Sequence, residues 1–202
     1  DIANTHRKFL DWVEERPVSA DGDDEPLLTD LLGILTDPEV FGWEVSDILG
    51  SPGQPPVPES LEVVLPEYHE TLRPTYAVSE YKLAEGNPPW ILLIQELPPG
   101  TPLDKVVSED DRHWQASRQA RFERLLRETG VPIGLLFNGT NLRLVYAPRG
   151  ETSGHLTFPV LAMCEVAGRP IFSALHLLLS GWRLFSAPEK ERLPALLSES
   201  RK

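Results

Sequence analysis

Two apolar runs decide how this chain reads: Trp90-Ile91-Leu92-Leu93-Ile94-Gln95-Glu96-Leu97 and Val131-Pro132-Ile133-Gly134-Leu135-Leu136-Phe137. Each is short, nearly continuous in apolar residues and rich in branched side chains, which suits a strand covered on both faces. Between them, Trp114 to Thr129 has helical spacing. At 100° per residue Trp114, Phe122, Leu125 and Leu126 fall on one stripe with Arg118 in its middle, while Arg121, Arg124 and Arg127 turn progressively away. Ser108, with Asp111 three residues later, is a capping pattern ahead of this run. Asn138-Gly139 is a turn signal leading to a strand over Leu142 to Tyr146. Upstream, Pro74 to Val78 reads as a further strand, and His155 to Val160 as an edge strand, the one place where Pro159 is tolerated.

Working outward, Thr5 to Glu15 reads as a short amphipathic helix with Phe9, Trp12 and Val13 on one side, ended by Pro17. Pro26 to Leu35 repeats leucines at helical spacing until Asp37-Pro38 stops it, and Gly42-Trp43 follows. Residues 50–58 hold four prolines and two glycines and read as a loop. Leu61 to Leu65 regains strand character. Ile171 to Leu179 has the periodicity of a buried helix, and Glu189 to Ser200 of a more polar one. The expected fold is α/β: a mixed central sheet of four or five strands, the two apolar runs at its middle, flanked by the helices Leu27 to Leu35 and Trp114 to Thr129, with a C-terminal helical extension. Residues 1–160 would form the main domain and 161–202 the helices leading out of it.

Composition narrows the function classes. The chain has 202 residues and is 41% hydrophobic, enough for one sizeable core. Its formal net charge is -12, which disfavours general DNA binding, since that affinity comes from Lys and Arg neutralising phosphates. The charge is uneven: Glu14, Glu15, Asp21, Asp23, Asp24, Glu25 and Asp30 crowd the start, while arginines gather from Arg112 to Arg149, so a local basic face is compatible with the total. Cys164 is the single cysteine; it excludes an internal disulfide and a cysteine-built zinc site, fits a reducing cytoplasm, and reads as a small buried hydrophobe. No apolar run approaches the ~20 residues that span a bilayer. His6, His69, His113, His155 and His176 show no ligand-like spacing, and His176 among leucines reads as a core residue. Gly150-Glu151-Thr152-Ser153-Gly154 lacks the Gly-Lys-Ser/Thr ending of a phosphate loop. The start at Asp1 and the unfinished helical pattern at Lys202 lead us to expect a piece of something longer.

The order of elements resembles the PD-(D/E)xK nuclease-like domain at the N-terminus of restriction subunits and fused restriction-modification methyltransferases. In that family a leucine-rich helix ending in Gly-Trp precedes Arg-Pro-Asp-Tyr, a strand ending Glu-x-Lys, a Gln-bearing helix and a strand ending Asn-Gly. The counterparts here are Leu27 to Trp43, Arg73-Pro74-Thr75-Tyr76, Ile91 to Leu97, Trp114 to Thr129, and Gly134 to Gly139. The runs Arg121 to Gly139 and Tyr146 to Phe158 resemble the leader of large bacterial type IIG methyltransferases, including those of DISARM-type phage defence.

That resemblance implies a nuclease site whose key residues are replaced. The family's metal-binding Asp falls on Thr75, its Glu on Gln95 and its Lys on Leu97. A hard divalent cation wants carboxylate oxygens, and the Lys stabilises charge on the attacked phosphate; the three replacements supply neither. Glu80-Tyr81-Lys82 is a second Glu-x-Lys, though at the end of the first strand rather than on the second, and Glu96 lies beside Gln95 but on the opposite face. The helix position that carries Gln in active relatives corresponds to Arg118, which would either receive a phosphate without metal or pair with a carboxylate such as Glu96. Arg118, Arg121 and Arg124 are the candidate nucleic-acid contacts. The resemblance thus implies a degenerate nuclease domain contacting DNA for a larger restriction-modification or phage-defence enzyme; the alternatives are a docking module for its methyltransferase domain or partner subunits, or an active Mg²⁺-dependent endonuclease. No cofactor is expected in this piece, and adenosylmethionine would belong to a downstream domain.

Overall fold

The computed structural model describes residues 1–18, 22–80, 89–106 and 114–202. In chain order, α1 (Ile2–Asp11) leads to β1 (Val13–Pro17), β2 (Asp24–Leu28) and α2 (Leu31–Thr36). Then come β3 (Ile48–Leu49), β4 (Val63–Leu65), β5 (Glu70–Leu72), β6 (Tyr76–Ser79), β7 (Trp90–Glu96), α3 (Arg118–Thr129), β8 (Ile133–Phe137), β9 (Asn141–Tyr146) and β10 (Gly154–Pro159). The chain closes with α4 (Val160–Cys164), α5 (Arg169–Leu179) and α6 (Leu193–Glu199). It gathers into two compact units, Asp1–Asp47 with Gly139–Leu142 and Thr157–Lys202, and Ile48–Asn138 with Arg143–Leu156. Among the described residues no helix is long and apolar enough to cross a membrane.

The class is the expected α/β, built on a mixed six-stranded sheet of order β10-β9-β8-β7-β6-β3. β7 and β8 are its middle pair and run parallel, whereas β6 runs antiparallel to β7. Their position follows from composition: Ile91 to Ile94 and Ile133 to Phe137 are all buried. The count of four or five strands was one short, because the two-residue β3 pairs with β6 through Ile48 and Leu49 and is too brief to leave a periodic signal. β10 takes the edge place expected of it.

α3 is the helix that positions the site. It starts at Arg118 rather than Trp114, because the Ser117 hydroxyl accepts from Ala120 N at 3.1 Å and ends the approach as an N-cap. The capping pair Ser108 and Asp111 lies outside the described residues. Phe122, Leu125 and Leu126 are buried against the core with Leu93 and Leu136, each contributing about 1.5–3 kcal/mol when fully covered. Gly134 makes the approach possible: a Cβ there would sit 2.4 Å from the Phe122 ring. Gly130, at φ 73°, ends the helix in the left-handed conformation.

The other unit corrects two helix expectations. The first helix is Ile2–Asp11 rather than Thr5 to Glu15, and Val13 opens a hairpin with β2, Val13 facing Leu28 and Glu14 facing Leu27. The leucine run is therefore split: Leu27 and Leu28 are strand, and the Asp30 carboxylate caps α2 by accepting from Gly33 N at 2.8 Å. Its core is aromatic, with Phe9 and Phe172 at 4.8 Å between ring centroids. His6 Nε2 lies 2.7 Å from Met163 O and His176 Nε2 2.7 Å from Val40 O; His6 is a packed core residue, whereas His176, expected in the core, is half-buried against Phe41 and Phe172. Cys164 is half-buried rather than buried, and burial, with Glu15 nearby, pushes its thiol pKa up.

Candidate functional site

The three positions that the nuclease motif would occupy lie at one end of the β6–β7 pair. Thr75, just before β6, donates its backbone N–H to Ile94 O at 2.8 Å. Its Oγ1 accepts from Glu96 N at 2.9 Å and from the Gln95 side-chain amide at 3.3 Å. Leu97, just past β7, donates its N–H to Phe137 O at 2.8 Å. Gln95 and Leu97 both line a cavity of about 170 Å³, and Arg118 from α3 lines it with them. Strand alternation carries Glu96 to the other face, where the Tyr76 hydroxyl donates to it at 3.2 Å.

Arg118 is half-buried, and its Nε is fully covered with no hydrogen-bond partner. Among the described residues it makes no ion pair, and the proposed pairing with Glu96 does not form. Most buried polar groups are satisfied, so an orphan guanidinium N–H is a cost of roughly 1–3 kcal/mol. The other arginines are engaged. Arg121 donates to Glu70 through Nε at 3.1 Å and Nη2 at 2.9 Å, and its Nη1 donates to Ala116 O. Arg124 bonds Glu128 at 2.9 Å and Glu67 at 3.1 Å; hydrogen bonding to Glu128, then to Glu67, holds its pKa above the ordinary Arg value. Arg73, on the cavity wall, pairs with the part-buried Glu62 at 2.8 Å.

Aromatic side chains brace the start of α3. Trp114 is not part of the helix; it stacks on Tyr68 with ring centroids 5.6 Å apart, and the Arg124 guanidinium lies 5.2 Å from its ring centroid. Glu70 accepts from Trp114 N at 3.0 Å as well as from Arg121. On the far side of α3, Arg143 grips Asp104 at 2.7 and 2.9 Å and donates to Gln119 at 3.1 Å. The hydrogen bonds from Arg143 hold the Asp104 carboxyl below the usual range.

Among the described residues the donors at these positions are poor ligands for a hard divalent cation. On the Thr75 face the oxygen ligands are a hydroxyl already accepting two hydrogen bonds and a carboxamide, and the one carboxylate on the cavity wall, Glu70, is held by Arg121. Among the described residues no cluster of three His, Cys, Asp or Glu side chains is placed to hold a metal. Glu80 does not join the site: its N–H bonds Pro89 O at the opposite end of the β6–β7 pair, and five residues of strand from Thr75 span about 16 Å. Lys82 lies outside the described residues.

No protein-family model matches this chain, and no curated protein and no solved structure matches it. Of the positions named from the sequence, Gln95, Leu97 and Arg118 line the cavity, whereas Thr75 bonds Gln95 without lining it; Glu70 was not named. The Arg73-Pro74 motif pointed at the right place, but Glu70 has no local signal; its partner Arg121 is 51 positions away.

Proposed function

We propose that this chain is a nuclease-like domain that holds nucleic-acid phosphate without cleaving it, serving a larger restriction-modification or phage-defence enzyme. The observation that carries this reading is Arg118, a cation without a counter-charge among the described residues, on the wall of a cavity shared with Gln95 and Leu97. A guanidinium offers a phosphate a planar pair of donors. The apolar wall formed by Leu72, Phe122, Leu125 and Leu136 lowers the local dielectric and strengthens the attraction. With Leu97 where the family carries Lys, and no carboxylate at Thr75 or Gln95, the acid that the described residues bring to the pocket is Glu70, and Arg121 holds it, which supports binding without cleavage.

A docking role is the second reading. It is favoured by the acidic total charge and by exposed apolar side chains on the C-terminal helices, with Leu161 at 55% and Leu177 at 59% exposure. In that case adenosylmethionine chemistry and DNA contact both belong to the downstream domain. Binding to duplex and single-stranded DNA across a salt series separates the two. A log-log slope of about -1 or steeper, reduced in Arg118→Gln, supports phosphate contact. A slope near zero leaves only the docking reading.

A further inference from the structure

The shape of the cavity says which phosphate fits. We propose that it receives a terminal phosphomonoester, the 5′-phosphate at the end of a nucleic-acid strand, rather than a phosphodiester within one; this rests on the phosphate-holding reading above. At about 170 Å³ the space falls below the roughly 300 Å³ at which pockets begin to enclose drug-sized ligands. It suits a compact anion and a few waters of about 30 Å³ each, not a nucleoside. A phosphodiester carries a sugar on either side, and both must stay outside the mouth. A terminal phosphate has one such neighbour and can enter end-on.

Charge agrees with shape. A phosphomonoester carries about -1.5 to -2 at pH 7 and three acceptor oxygens, where a diester carries one charge. Three arginines, Arg73, Arg118 and Arg121, line the cavity with one acid, Glu70, among the described residues. Arg121 is fixed on Glu70 by two bonds. Arg118 has no counter-charge among the described residues. The Arg73 side chain is 64% exposed and that of its partner Glu62 26%, so Arg73 is open to solvent on the cavity side and can be shared between Glu62 and an incoming dianion. Two cations are then available to a ligand with nearly two charges. Gln95, which also lines the cavity, has a second amide hydrogen beside the one it gives to Thr75 and can donate it to a remaining oxygen.

The test uses the whole 202-residue chain and two otherwise identical short blunt duplexes, one with 5′-phosphates and one with 5′-hydroxyls, followed by fluorescence anisotropy. The phosphorylated duplex should bind about tenfold more tightly, with the preference lost in Arg118→Gln, reduced in Arg73→Gln and retained in Arg127→Gln. Inorganic phosphate should compete. Equal affinity for the two duplexes, still dependent on Arg118, would overturn the terminal-phosphate proposal and leave the phosphate-holding function standing. Binding of inorganic phosphate with no binding of either duplex would overturn nucleic acid as the source. Failure of both phosphate and duplexes to bind would remove both readings. The comparison of the two duplexes on the unaltered chain needs no variant, so a folding defect in Arg118→Gln cannot rescue the idea.

Discussion

Arg121 on α3 and Glu70 on β5 form a two-bonded ion pair, Nε to Oε2 at 3.1 Å and Nη2 to Oε1 at 2.9 Å, with side-chain exposures of only 11% and 15%. The pair ties the start of the helix to a short strand and, through Glu70, to Trp114 N. Removing one partner leaves a mostly buried charge, a loss of about 3–5 kcal/mol for fully buried pairs. Arg121→Ala and Glu70→Ala are each expected to lower unfolding free energy by roughly 2–4 kcal/mol, and the two together by much less than the sum. Urea denaturation of the four proteins in a double-mutant cycle measures this. Additive losses would show that the two charges do not act as a pair.

Arg118 should behave in the opposite way. Its buried Nε has no partner, so replacing it with an apolar chain of similar length removes an unmet desolvation cost of about 1–3 kcal/mol. Arg118→Met is expected to melt at the same temperature as the unaltered chain or a few degrees higher, while losing DNA affinity. A drop of several degrees would mean that the guanidinium stabilises the fold.

These two arginines mark where the sequence was legible and where it was not. The middle of the sheet could be read because Ile91 to Ile94 and Ile133 to Phe137 are apolar without interruption, a pattern that burial on both faces demands. Arg118 could be placed against the cavity because the period of α3 sets it among Phe122 and Leu125. Periodicity could not separate Arg121 from the other outward arginines, since its burial depends on a carboxylate far away in sequence. Trp114 obeyed the helical stripe and still lies outside the helix, because stacking on Tyr68 places it and Ser117 competes as the cap. The leucines after Pro26 misled in the same way: Leu27 and Leu28 are bound into the β1–β2 hairpin, which spacing alone cannot distinguish from a helix start.

The contact between Gln95 and Thr75, 3.3 Å from amide nitrogen to hydroxyl oxygen, makes the metal question testable by addition. Gln95→Glu with Thr75→Asp places two carboxylates close together, where their mutual repulsion raises one pKa and destabilises the fold. A divalent cation bridging them reverses that cost, because a ligand that binds only the folded state stabilises it. The double variant is therefore expected to melt below the unaltered chain without metal and to rise with Mg²⁺ or Mn²⁺, while the unaltered chain stays insensitive. If the double variant does not respond to either ion, the two positions do not have the geometry of a nuclease metal site.

Two aspartates give the chain opposite responses to pH. The hydrogen bonds from Arg143 hold Asp104 below the usual carboxylate pKa, with burial opposing them and His155 a smaller aid. A depressed folded-state value contributes stability that is present above the unfolded pKa of about 3.9 and is lost as pH falls through the folded value. Asp47 is shifted the other way, first by burial and then by the nearby Glu44. It costs stability as pH rises above the unfolded value, because the folded state favours its neutral form. Asp104→Asn should therefore be less stable than the unaltered chain at pH 7, the gap closing as pH drops below about 4. Asp47→Asn should gain relative to the unaltered chain as pH rises from 4 to 7. Chemical denaturation of both variants across this range is the measurement, and parallel stability curves for Asp104→Asn and the unaltered chain would show that the Arg143 pair adds nothing to folding.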